Sequence, residues 1–217
     1  MQITLPMDVQ SSYLKEDFII SASNRRMYDV IHKWPNVWGV NPYFKSLIIH
    51  GPPSSGKTYI AKLWQNISNA YAISIDNDLH LDCIDEHSSF IIEDIDKIHD
   101  EHKLFHYFNF INESQKYLLM TTSRSEIKFR LNDISSRINS VMKLNIDRPD
   151  DELIKILIFK YFSVNSIKIS DNVIEFLIKR LPRQLDEIYR YIQHINDTAL
   201  IHHSSITIPF IKKYVIT

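Results

Sequence analysis

Glycine is nearly missing from this chain: 217 residues hold three, Gly39, Gly51 and Gly56. Two of them fall in one short stretch, so a composition averse to glycine spends most of it in a single place. Cysteine is scarcer still. The lone Cys83 excludes an intramolecular disulfide and fits a reducing compartment. No run approaches the ~20 apolar residues of a membrane span, and residues 1–10 lack the basic start and apolar core of a signal peptide. The sequence is therefore expected to be cytoplasmic. An excess of charge of either sign is also absent: the net charge is -1, which leaves no global basic field to hold nucleic acid. With 44% hydrophobic and 24% charged residues, the composition is that of a globular protein of one or two domains.

The glycine-bearing stretch is Gly51-Pro52-Pro53-Ser54-Ser55-Gly56-Lys57-Thr58, directly after the apolar run Leu47-Ile48-Ile49. It fits G-x-x-x-x-G-K-[ST], a loop whose backbone N–H groups cradle phosphates, whose lysine reaches the β/γ oxygens and whose hydroxyl ligates Mg²⁺. The helix expected from Tyr59 onward turns its positive N-terminus toward those phosphates. ATP or ADP with Mg²⁺ is the expected cofactor. Downstream, Ser89-Phe90-Ile91-Ile92-Glu93-Asp94 reads as a buried strand ending in two acids, where a parallel sheet meets metal and γ-phosphate. Glu93 is assigned with Thr58 to the metal, and Asp94 to polarising the attacking water.

Residues 1–12 stand apart as a flexible tail whose Ile3, Leu5 and Met7 could enter a partner's apolar pockets, with Gln2 as a polar anchor. Residues 13–146 alternate strands and helices. A helix runs through Ile31 after a Ser23 or Asn24 cap and stops at Trp34-Pro35. Strands are expected over 46–50, 70–75, 117–121 and 141–146, with helical pieces over 100–113 and 131–138. Thr122 and Ser123 close the strand that points at the same active edge. His99, His102 and His106 lie at helical spacing and read as a solvated helix face. From residue 147 to 217 the pattern is helical only, with segments over 151–162, 171–181, 182–194 and 207–215, and Pro182 is placed in the first turn of its helix. Such a small helical domain is marginal alone and should lean on the first.

These residues resemble the DnaA branch of the AAA+ ATPases along nearly the whole chain, and within it the Hda-type regulatory inactivators of DnaA. Phe18-Ile19-Ile20 through Asn24-Arg25 is similar to that branch's motif near the adenine. Phe105-His106-Tyr107-Phe108-Asn109 resembles its F-H-x-F-N helix, Met120-Thr121-Thr122-Ser123-Arg124 its sensor 1, and Ser136-Arg137-Ile138 its S-R-hydrophobic box, whose arginine is a finger for a neighbour's nucleotide. Pro182-Arg183-Gln184-Leu185 takes the place of sensor 2. Gln2-Ile3-Thr4-Leu5-Pro6-Met7 is similar to the peptide by which such proteins bind the DNA polymerase III beta sliding clamp, so Gln2, Ile3, Leu5, Pro6 and Met7 are the implied clamp contacts. Residues 206–212 resemble the C-terminal helix of that family, and with the sequence ending at Thr217 a helix-turn-helix DNA-binding domain is not expected.

The resemblance implies an α/β fold: an AAA+ P-loop nucleotide-binding domain with a parallel sheet in the order 5-1-4-3-2, followed by a small all-α lid. It implies nucleotide contacts at Asn24, Gly51, Pro52, Pro53, Ser54, Ser55, Gly56, Lys57, Thr58 and Arg183, and catalytic roles for Asp94, Thr122 and, in trans, Arg137. It implies DnaA and the clamp as partners, leaves a nucleotide-dependent homodimer open, and places the protein in the bacterial cytoplasm, near the nucleoid through the clamp. Glu93 stands where DnaA usually has Asp, Ser123 where it has Asp, and Leu181-Pro182 where it has Gly-Asn, which implies weak turnover of the chain's own ATP. The function expected is a nucleotide-bound adaptor that, with the clamp, stimulates ATP hydrolysis by DnaA. An autonomous ATPase acting as a helicase loader is the alternative.

Overall fold

The computed structural model describes residues 18–74 and 86–215. The candidate clamp contacts Gln2, Ile3, Leu5, Pro6 and Met7 lie outside the described residues, as do Ile75 and Cys83. Among the described residues five strands, β1 (Ser46–His50), β2 (Tyr71–Ile73), β3 (Ser89–Ile92), β4 (Tyr117–Thr122) and β5 (Met142–Asn145), form one parallel sheet in the order β2-β3-β4-β1-β5. This is the order expected from the resemblance, read from the other edge. Every strand-to-strand connection is therefore a crossover, and helices cover both faces.

Alternation along the strands decides which helix covers which face. Ile48, Phe90, Ile92, Leu118 and Met120 point to one side, where they pack with Leu104, Phe108 and Ile111 of α3 (Glu101–Glu113) and Ile134 and Ile138 of α4 (Asn132–Ser140). Leu47, Ile49, Ile91, Leu119 and Leu144 point to the other. There they meet Met27 and Ile31 of α1 (Arg25–His32) and Ile60, Ala61 and Trp64 of α2 (Lys57–Ser68). Sandwiching on both sides explains why β1 and β3 read as unbroken apolar runs.

A separate apolar cluster organises the four C-terminal helices, α5 (Asp151–Val164), α6 (Asp171–Ile178), α7 (Leu185–Ile201) and α8 (Ile208–Tyr214). Ile154, Ile158 and Phe162 of α5 pack there against Ile174 and Leu177 of α6, Ile188, Ile192 and Ile195 of α7, and Phe210 and Ile211 of α8. Asp150 begins α5 by accepting from the Leu153 N–H at 2.8 Å, and Thr207 begins α8 by accepting from the Phe210 N–H at 3.3 Å.

Two local expectations need correction. Pro182 is not in the first turn of a helix: α6 ends at Ile178, and α7 starts only at Leu185 after the Gln184 cap and continues to Ile201. Periodicity carried the helix back through Pro182 and Arg183, whereas the chain there needs a bend to turn α7 onto the phosphate loop. Asn24 occupies the cap position of α1 without capping through its side chain. That amide instead accepts from the Ser21 N–H at 3.0 Å and donates to the Ile19 carbonyl at 2.9 Å, bracing the segment before the helix. Among the described residues no helix is long and apolar enough to cross a membrane.

Candidate nucleotide site

The phosphate loop leaves the carboxyl end of β1 and enters α2 through Gly56 at φ 99. Its first residue is pinned by a hydrogen bond from the Gly51 N–H to the Thr122 carbonyl at 3.2 Å. Gly51 is required for a reason the sequence did not announce. A Cβ there would stand 2.6 Å from the Ile146 carbonyl and 2.9 Å from the Ser55 hydroxyl, so β5 closes against the loop only over a bare backbone.

Lys57 is 7% exposed, and its ammonium donates to the carbonyls of Gly51 at 2.9 Å and Pro52 at 2.8 Å. Burial pushes this ammonium below its ordinary value, while the charges of Asp94 and Asp96 work in the opposite direction. A cation this desolvated, with its donors along the loop, suits a phosphate. Thr58 donates to a Glu93 carboxylate oxygen at 2.7 Å. The pair is an all-oxygen donor set of the kind a hard divalent cation takes.

Asp94, just past β3, is held at φ 52 with its N–H donated to the Thr121 hydroxyl at 2.9 Å. Its carboxylate accepts from Lys97 at 2.7 Å. Asp96 accepts from the Ser123 N–H at 3.1 Å, which ties the turn after β3 to the turn after β4. Thr122 is fully buried, and its hydroxyl accepts from the Arg124 N–H at 3.1 Å. Thus Asp94, Thr122, Lys57 and Thr58 do gather at the carboxyl edge of the sheet, but Asp94 and Thr122 spend their side chains on Lys97 and Arg124.

The helical region touches this site directly. The Leu185 N–H donates to the Ser54 carbonyl at 3.0 Å, and the Leu185 side chain reaches within 3.6 Å of the Cβ position over Gly56. The Ser54 hydroxyl bonds to Asp186 and lowers the pKa of that carboxyl, with burial opposing. Asp186 was missed in the sequence, and Leu185 was read only as part of the sensor 2 resemblance, because their partner Ser54 lies far away in the chain. Arg183 is turned aside: its guanidinium pairs with Asp151 at 2.6 Å and donates to the Pro149 carbonyl at 3.4 Å. Asp150 beside it also accepts from the Ser23 N–H at 3.0 Å, so the start of α5 is fastened to the segment before α1. The signal for Asp150 was the run Pro149-Asp150-Asp151-Glu152, an ordinary helix start.

Arg137 lies at the opposite edge of the sheet. It sits in α4 shortly before β5 begins, and it shares a hollow with Lys45, which precedes β1, and Gln115, which precedes β4. Residues ahead of parallel strands mark the amino edge of the sheet, opposite the phosphate loop. Its guanidinium donates to the Asn109 side-chain carbonyl and lies 5.1 Å from the Phe105 ring centre. Both partners belong to the Phe105-to-Asn109 motif, so two distant sequence motifs meet in one place.

Residues 150–215 match the family model described as the Hda lid domain. The chain is 24% identical over 226 residues to the chromosomal replication initiator DnaA of Aliarcobacter butzleri (strain RM4018), covering 93% of this chain and 51% of that protein. It is 27% identical over 191 residues to an uncharacterized protein of Haemophilus influenzae, covering 79% of this chain and 80% of that one. In fold it matches the solved replication initiator DnaA bound to AMPPCP and single-stranded DNA with a TM-score of 0.71 at 17% identity, over 90% of this chain and 69% of that one. The chain spans about half the length of the DnaA relative it matches.

Proposed function

We propose, from the premise that this chain is an Hda-like, DnaA-related AAA+ protein, that it is a nucleotide-bound adaptor that stimulates ATP hydrolysis by DnaA. The observation that carries this reading is the position of Arg137, at the sheet edge opposite the chain's own phosphate loop. An arginine so placed serves a nucleotide held by another molecule. There it offsets charge developing in phosphoryl transfer, an effect worth ~10³ to 10⁵ fold.

The chain's own nucleotide, ATP or ADP, is bound between the phosphate loop and the helical lid. Lys57 and the loop N–H groups take the phosphates, Thr58 and Glu93 take Mg²⁺, and Asn24 braces the segment expected beside the base. When bound, the Mg²⁺ neutralises phosphate charge. Asp94 is paired with Lys97, and Arg183 with Asp151, an arrangement that favours holding nucleotide over turning it over. Leu185 and Asp186 carry the lid's position to Ser54, so the nucleotide sets the angle between a 13–146 unit and a 147–217 lid. Residues 1–12, through Gln2, Ile3, Leu5, Pro6 and Met7, dock the adaptor on the DNA-loaded sliding clamp in the cytoplasm, with a nucleotide-dependent homodimer as an accessory state.

The test is DnaA ATP hydrolysis in the presence of clamp, DNA and this protein. Arg137→Ala should keep nucleotide and clamp binding and lose the stimulation. Full stimulation by that variant would overturn the role given to Arg137.

A further inference from the structure

The loop between α1 and β1 is built to hold still. Trp38 is buried, stacks on Trp64 with ring centres 4.9 Å apart, and donates its indole N–H to the Lys45 carbonyl at 2.9 Å. Val40 pairs with Tyr43 across a short bridge, and the Tyr43 ring packs edge-on against Phe108 at 5.0 Å. Gly39, at φ 53, lets the loop fold on itself, since a Cβ there would overlap the Tyr43 and Phe44 carbonyls. Yet this fastened loop leaves Phe44 62% exposed, with Val40 and Val37 also open to solvent. A loop with so many internal contacts had other ways to place an apolar ring, and an aromatic kept in water on a fixed backbone loses little entropy on docking.

Phe44 and Arg137 line the same hollow of about 240 Å³. Among the described residues its charged lining is two cations, Lys45 and Arg137, against one acid, Glu113. An aromatic on a fastened backbone and an arginine held by Asn109 and Phe105, lining one hollow, have the composition of a binding hot spot, and the charge balance asks for an anionic occupant.

We infer that Phe44 is the apolar anchor of the surface that receives the partner ATPase, seating beside the nucleotide-bearing face of a DnaA-type AAA+ domain so that Arg137 reaches its triphosphate. The inference rests on the finger role proposed for Arg137. It adds a division of labour: Phe44 supplies affinity, Arg137 supplies rate. Lys45 is held close by, donating to the Gln115 carbonyl at 2.7 Å with its ammonium 5.1 Å from the Tyr117 ring centre. From there it adds long-range attraction to the same anionic face.

The experiment titrates the full chain, wild type and Phe44→Ala, into the DnaA ATPase reaction with clamp and DNA, with Arg137→Ala in parallel. Nucleotide binding by each variant serves as the folding control, and Phe44→Leu tests whether apolar bulk is what matters. The expected result is that Phe44→Ala raises the concentration for half-maximal stimulation by about tenfold or more with the plateau kept. Phe44→Leu should recover most of the loss, while Arg137→Ala lowers the plateau. If Arg137→Ala abolishes stimulation and Phe44→Ala leaves the titration unchanged, the anchor assignment is wrong and the finger stands. If Arg137→Ala also stimulates fully, the finger reading itself fails. If Phe44→Ala shifts only self-association in sedimentation, the surface belongs to a second copy of this chain and the inference is overturned.

Discussion

Replacing Asp150 by alanine should loosen the joint between the sheet and the lid by an amount the geometry allows to be worked out. The carboxylate caps α5 at the Leu153 N–H and accepts from the Ser23 N–H across 127 residues of sequence. Losing a helix cap costs about 1 kcal/mol, and leaving the half-buried Ser23 N–H without its acceptor costs about 1 kcal/mol more. A total near 2 kcal/mol lowers the melting temperature of a chain this size by about 4–8 °C.

The charge state of Asp150 adds a second signature. Burial works against its ionised form, but hydrogen bonds from the Leu153 N–H and from Ser21 and Ser23 outweigh it and hold the carboxyl below its ordinary 3.8. A depressed folded pKa means the unfolded chain binds more protons in that window. The stabilisation is therefore whole above the ordinary value and disappears as pH falls through the folded one. Urea denaturation of wild type and Asp150→Ala should show the full gap at about pH 7 and a shrinking gap below about pH 4. A gap under about 0.5 kcal/mol at neutral pH, or one that stays constant into acid, would refute the reasoning.

Gly39→Ala should cost about 2 kcal/mol or more, because it places a Cβ against the Tyr43 and Phe44 backbone at positive φ; thermal denaturation measures it, and an unchanged melting temperature contradicts the close approach. Asp151→Ala frees Arg183 from a partner that is 71% exposed. Surface pairs are worth about 0–1 kcal/mol, so nucleotide affinity by fluorescent-analogue titration should rise by no more than about fivefold. A larger gain means that Asp151 does more than hold the arginine aside.

Much of the fold was legible because burial on both faces leaves a plain mark. Leu47-Ile48-Ile49 and Phe90-Ile91-Ile92 are unbroken apolar runs inside β1 and β3, as a strand between two helical layers needs. The candidate phosphate loop and the acid Glu93 could be singled out for a similar reason: the chemistry proposed for them lies in residue types at close spacing. Pro182 misled because a proline at a helix start and a proline in the bend before one look alike locally, and the difference lies in where Leu185 must go. Asp186 and Asn109 carried no local sign of their partners, and the helix start at Asp150 announced its bond to Leu153 but not the one to Ser23.

By itself the sequence determined the strands, most of the helices and the candidate phosphate loop. These follow from side-chain periodicity, residue types at close spacing and backbone sterics over a few residues. The candidate finger was picked out only because Ser136-Arg137-Ile138 resembles a family motif. Only the tertiary structure decided that Asn109 and Phe105 hold Arg137, that Asp151 draws Arg183 aside, and that Ser54 meets the start of α7. It alone put Arg137 and the phosphate loop at opposite ends of one sheet. A periodic pattern says which face of an element is apolar; which distant element meets that face depends on strand order and crossover, and no single stretch of the chain contains it.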